Sequence, residues 1–282
     1  METTSVAPME LSARIVTLEL AETFVISRGA TETEDVAQVE LRHGAVSGFG
    51  EAAPVDYHGE TAESALAYLE EHASVLGDDP FALDEIAARL QSREWAARAA
   101  IDAALHDLQG KLVELPVWRL LGLRRAGPPT SWTIWLGDPD GPRLKAASSI
   151  PIYVDEDCHH LGDVARCAER AHGINIKLAK SGGIREATRM AYAARALGLG
   201  VMLGCMIESG LGISAAAQIA SLCDHVDLDG NLLLAEDPWP GVEFAEGVQL
   251  PSQEPGLGVR TGARHRDDRV TTASRDAHVR PG

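Results

Sequence analysis

Five short apolar runs, SWTIWL, IPIYVDE, INIKLAK, VMLGCM and HVDLDG, follow one another between residues 131 and 230. Helical stretches separate the later four: LGDVARCAERA, GIREATRMAYAARALG and LGISAAAQIASLC. Parallel strands cannot be joined by a tight turn, so strand, helix, strand in succession predicts parallel βα units with the helices packed outside the sheet. Charged residues collect at the C-terminal ends of the runs, at Asp155, Lys177, Glu208, Asp227 and Asp229. That is the end at which a parallel βα barrel carries its chemistry.

The preceding residues read differently. RIVTLEL and VAQVELRHG alternate apolar and polar positions, as a half-buried antiparallel sheet does, and HGAVSGFGEA adds a turn and a further strand. From Thr61 the pattern becomes helical. Thr61 is placed as an N-cap, Glu63 lies in the first turn, and Leu66 and Leu69 continue an apolar face. FALDEIAARLQ and EWAARAAIDAALHDLQGKL give two more helices. Sheet first and helices afterwards is an α+β arrangement. The expected organisation is therefore an α+β domain at residues 1–125 and a βα barrel domain at 126–260. The tail at 261–282 is rich in Arg, Asp, Ser and Thr and is expected to be disordered.

Hydrophobic residues make up 45% and charged residues 24%, enough apolar surface for a sizeable core. The formal net charge of −17 disfavours nucleic acid and anionic membrane surfaces as partners. No apolar run approaches the ~18 residues of a membrane span, and no basic segment precedes an apolar one at the start. A cytoplasmic protein acting on a small molecule is expected. Cys158, Cys167, Cys205 and Cys223 form no C-x-x-C pair, which predicts buried free thiols rather than a zinc site or disulfides.

Each charged strand end supports two readings. Asp155-Glu156-Asp157 suits a hard cation that wants oxygen ligands, or a solvated acidic turn. Lys177, with Lys180 three residues on, suits a base whose pKa is lowered by desolvation, or a snorkelling lysine. Asp227 and Asp229 alternate along a strand and so converge on one point, where they suit an ammonium group.

The order of these motifs is more specific than its parts. D-E-x is followed after 22 residues by I-K-L-x-K-x-G-G, then by G-x-M-I-E-x-x-L-G-I-x-A-A-A, then D-x-D-G-x-L-L-L, then PGLGV. This series resembles the dipeptide epimerases of the enolase superfamily, of which L-Ala-D/L-Glu epimerase is the best-known activity. FVISRGATETEDVAQVELRHGAVSGFGEAAP resembles the sheet of that family's capping domain. ARAAIDAALHDLQGKLVELPVWRLLGL resembles the helix leading into its barrel.

The resemblance implies an α/β fold with an α+β capping domain on a (β/α) TIM-like barrel. It implies Mg²⁺ as cofactor and a dipeptide as small-molecule substrate. Two lysines invert the α-carbon through an enediolate, and a homo-oligomer is compatible. On the matching positions, Asp155 is the last of three metal ligands and Lys177 is the base on the later side. Asp227 and Asp229 hold the α-ammonium, Glu208 joins the substrate site, and Arg28 meets a side-chain carboxylate. Tyr57 and His58 close over the pocket.

One departure from the family is large. The pattern requires K-x-K, a further Asp and a further Glu on barrel strands two, three and four. Here 22 positions separate Thr133 from Asp155, and a βα unit takes roughly 30 residues. Lys145 lies in that interval, but its surroundings, PRLKAAS, do not match K-x-K. The barrel is expected to be incomplete, with about five of eight strands and exposed edges beside SWTIWL and IPIYVDE. Asp155 alone then holds Mg²⁺ weakly, and two-face proton transfer fails. Alternatives are an inactive relative or small-molecule binder of the same fold, and a muconate cycloisomerase-like activity. The D-x-D pair favours the dipeptide branch.

Overall fold

The computed structural model describes residues 8–26, 29–130 and 150–260. Arg28, Lys145, the run SWTIWL and the tail lie outside the described residues.

The first half forms an antiparallel sheet of β1 (Glu10–Ile26), β2 (Gly29–His43) and β3 (Val46–Ala52), in that order. Its predicted turn falls between β2 and β3, where Gly44 takes φ +60°, a value that costs a residue without Cβ little. Helix α1 (Ala62–His72) starts as the sequence predicts. The Thr61 side chain accepts from the Ser64 N–H and Ser64 returns the bond to the Thr61 N–H. Helices α2 (Leu83–Arg89) and α3 (Trp95–Leu112) follow.

Helix α3 lies flat on β3 because both surfaces are small. A Cβ built on Gly48 would stand 2.2 Å from the Ala104 carbonyl oxygen, and one on Gly50 2.0 Å from that of Ala100. The alanine stripe that makes α3 a strong helix former also lets two backbones touch. Val39, Leu41, Leu69, Ile101 and Leu108 fill the core around this contact.

After the short α4 (Val117–Leu120) comes the parallel part. Its elements are β4 (Tyr153–Val154), α5 (Leu161–Cys167), β5 (Gly173–Lys177), α6 (Leu178–Ser181), α7 (Ile184–Ala196), β6 (Gly200–Gly204), α8 (Gly210–Ala217) and β7 (His225–Asp227). A small hairpin, β8 (Glu243–Ala245) with β9 (Val248–Leu250), follows. The sheet order is β4-β5-β6-β7, all parallel, and Thr130 bridges Val226 on the far side of β7. This agrees with the expected βα rhythm. Among the described residues β4 has a strand on one side, β5, and none on the other.

Alternation sorts the two faces of this sheet. Ile174, Ile176, Val201, Leu203 and Val226 share a core with Ile184, Met190, Leu211 and Ile213 of the helices. Asn175, Lys177, Gly204 and Asp227 therefore face the interior. Tyr153 lies across the lower part of that inner face. A Cβ on Gly173 would come 2.2 Å from its ring and one on Gly200 2.3 Å from its hydroxyl, while the ring meets His225 edge-on at 5.4 Å.

Three carboxylates on the first half tie it to the second. Buried Asp107 on α3 accepts from the Phe49 N–H at 2.9 Å, the Leu257 N–H at 2.8 Å and Lys111 Nζ at 2.7 Å. Asp102 accepts from the Arg185 N–H at 3.2 Å, and Glu51 from the Ser209 N–H at 2.8 Å. The latter two serve as caps for helices α7 and α8 from another part of the chain. No helix among the described residues is long and apolar enough to cross a membrane.

Candidate active site

The charged strand ends do meet at one mouth. Asp155 leaves the end of β4, and Lys177 closes β5. Lys177 Nζ stands 3.2 Å from Asp155 Oδ2. Gly204, opposite, leaves the room: a Cβ there would approach Lys177 Cε at 3.2 Å and the Asn175 amide at 3.0 Å. Lys180, on the one-turn helix α6, contacts Asp155 Oδ1 and donates to the Asp155 carbonyl at 2.8 Å. Its ammonium is also 3.8 Å from Glu156.

These contacts set the charges. Burial pushes the Asp155 carboxyl up, but Lys180 and Lys177 outweigh it and hold it at about 2. Lys177, read either as a desolvated base or as a snorkelling lysine, is balanced the other way. Burial alone would lower its pKa, but Asp155 and Glu156 more than reverse this and hold it above the usual lysine value. Lys177 is an ammonium ion at neutral pH. Lys180 does fall below the usual value, through burial and then the neighbouring Lys177, against the pull of Asp155.

Asp227 and Asp229 converge, though by a different route from simple alternation. The strand stops at Asp227, and Asp229 precedes a 3-10 turn at Gly230–Leu233. Burial and the charge of Asp227 both push the Asp229 carboxyl up. Cys205 Sγ lies 3.8 Å from Asp229 Oδ1, and burial pushes its thiol well up, so it is inert at neutral pH.

Glu208 is buried at the joint between the two halves, and its carboxylate accepts from the Met206 N–H at 3.0 Å. Burial drives its pKa to about 7, with Glu51 adding to the rise and Lys177 opposing it. Between pH 4.5 and 7 the folded chain keeps a proton on Glu208 that the unfolded chain has released. Stability from this group therefore falls as pH rises through that window. Glu208→Gln is expected to remove this part of the slope, on the order of 3 kcal/mol across it. Urea midpoints of both proteins at the two ends of the window check the prediction, and an unchanged slope refutes it.

The second loop of the first half reaches the mouth. The Tyr57 hydroxyl donates to Glu156 at 2.5 Å, and the His58 ring meets His159 edge-on at 4.2 Å. Arg28 is not among the described residues. Sequence reading missed Lys180 as the partner of Asp155. The signal was its position three residues beyond Lys177, where a single helical turn folds it back. It also missed Asn175, which shares the inner face with Lys177 and keeps its Oδ1 buried with no hydrogen-bond partner among the described residues. Among the described residues no three His, Cys, Asp or Glu side chains gather into a group able to hold a metal ion.

Comparison with known proteins agrees with this architecture. Residues 10–122 match the N-terminal domain of the mandelate racemase/muconate lactonizing enzyme family, and residues 137–264 match an enolase C-terminal domain-like family. An L-Ala-D/L-Glu epimerase from Bacteroides thetaiotaomicron is 31% identical over 326 residues, covering 86% of this chain and 85% of the relative. An L-Ala-D/L-amino acid epimerase from Pedosphaera parvula is 30% identical over 339 residues, covering 88% and 97%. Both aligned lengths exceed the 282 residues of this chain, so the alignments contain positions where it has no residue.

Among solved structures, a dipeptide epimerase from Enterococcus faecalis in complex with Mg and L-Leu-L-Tyr superposes with a TM-score of 0.82. It is 24% identical and is matched over 89% of this chain and 99% of its own. An enolase family member from Agrobacterium tumefaciens with homology to dipeptide epimerases, solved with sodium and L-Ala-L-Glu, gives a TM-score of 0.74. It is 27% identical, with coverages of 87% and 98%. With both halves matched in sequence and the strand-end residues brought to one mouth, this chain belongs to the enolase superfamily as a dipeptide epimerase-like protein.

Proposed function

We propose that this chain is a dipeptide-binding relative of the epimerases that has lost the ability to invert its ligand. The observation that carries this reading is that the two lysines described at the mouth, Lys177 and Lys180, engage the same carboxylate, Asp155. Each takes one of its two oxygens, Lys177 Oδ2 and Lys180 Oδ1. Inversion needs proton donors and acceptors on both faces of a carbon, and a base near neutral pKa to start. Lys177, held in its ammonium form beside Asp155, is a proton donor and not the base that starts the reaction. It suits a carboxylate of the ligand instead, while the Asp227 and Asp229 pair suits an α-ammonium. The alignments that run longer than this chain support loss of a barrel segment.

Related structures contain Mg. The described residues by themselves do not fit that ion. Asp155 is a single carboxylate with ammonium groups on both oxygens, and no cluster of ligands joins it among the described residues.

The test is incubation with L-Ala-L-Glu and Mg²⁺ in D₂O, followed by NMR of the Glu α-proton. The expected result is binding in calorimetry, no L-Ala-D-Glu, and no deuterium uptake at the Glu α-carbon. Appearance of L-Ala-D-Glu would refute the reading. Replacing Asp227 and Asp229 together by Asn is expected to weaken binding at least about tenfold, because a charged hydrogen-bonded contact is lost. Unchanged affinity would move the ligand elsewhere.

A further inference from the structure

Asp155 is the matched metal position of the family, and the structure shows what holds it. Lys180 touches its Oδ1 and its carbonyl, and Lys177 stands 3.2 Å from its Oδ2, so each carboxylate oxygen already has a cation beside it. Glu156, the next carboxylate, accepts from Tyr57 and lies 3.8 Å from Lys180. The Lys180 side chain has 0% exposure. It sits on a single helical turn closed by Gly182 at φ +86°, a conformation that an L side chain rarely adopts. The ammonium cannot swing into water unless that turn opens. A divalent ion on Asp155 would stand against two like charges and would leave a buried cation without its anion.

We propose that Lys180 is the resident cation of Asp155, an internal ammonium ion in the electrostatic place that related proteins give to a divalent metal, and that this mouth takes up neither Mg²⁺ nor Mn²⁺. The proposal shares the Asp155 contacts with the dipeptide reading, but neither measurement below contains a dipeptide, so the two fail separately. In the first, Mn²⁺ is titrated into the full chain and methyl NMR signals are followed. Val154 and Ile176 flank Asp155 and Lys177 in sequence, and their methyls are expected to broaden no more than those of Leu41 in the core of the first half. Selective broadening of Val154 and Ile176 overturns the proposal.

The second measurement follows lysine side-chain ammonium signals by proton–nitrogen correlation. One ammonium is expected to be protected from solvent exchange, to vanish with Lys180→Met and to shift with Asp155→Asn. Absence of any protected ammonium in the unmodified chain overturns the proposal by itself, so it stays testable even if either variant fails to fold.

Discussion

Asp107→Leu is expected to cost about 3–5 kcal/mol of stability, the range seen when one member of a buried charged network is removed. The side chain is fully buried and accepts from two backbone N–H groups, of Phe49 and Leu257, as well as from Lys111. Leucine is larger than aspartate, so overpacking adds to the loss. Two buried N–H donors also lose their acceptor and a half-buried ammonium loses its anion. Asp107→Asn should cost clearly less, because its one remaining oxygen can still serve one of the N–H groups. Chemical denaturation of the three proteins decides the matter. A loss for leucine below about 1 kcal/mol would show that water or another group takes over the donors.

Gly50→Val is expected to prevent folding or to cost more than about 3 kcal/mol, above the usual overpacking penalty, because the obstacle is backbone. The new Cβ would lie 2.0 Å from the Ala100 carbonyl oxygen, and β3 would have to lift off α3 along its length. Gly48 is equally restricted, at 2.2 Å from the Ala104 carbonyl oxygen. Gly44 is the control. Nothing lies within 4 Å of a Cβ there, so Gly44→Ala should cost only the backbone term of a positive φ, about 1 kcal/mol. Soluble yield and calorimetric midpoints separate the two cases. Equal losses at Gly44 and Gly50 would contradict the close-contact account.

Much of this architecture was legible because it rests on local pattern. Thr61 and Ser64 are neighbours on the chain, so the cap could be placed from the sequence. The βα rhythm and the charges at strand ends follow from periodicity. What was hidden depends on partners far along the chain. Lys177 reads equally as a desolvated base or a snorkelling lysine until Asp155, 22 residues earlier and 3.2 Å away, is seen to raise its pKa. Asp107 reads as an ordinary polar residue of a helix until Phe49 and Leu257 arrive, 58 and 150 residues distant. The run IPIYVDE suggests a long strand, yet β4 pairs over Tyr153–Val154 only. Pro151 has no N–H to offer a ladder, and among the described residues one side of β4 has no strand to pair with. Alternation shows which face is apolar but not how far a partner extends.

The Asp107 junction has a consequence for how the polypeptide is born. Ribosomes add about 5–20 residues per second, so Leu257 emerges roughly ten seconds or more after Asp107. Throughout that interval the nascent helix carries an anion that Phe49 and Lys111 satisfy only in part, and the groove for the later segment gapes. The early half cannot lock during translation. Its final closure waits for a late arrival.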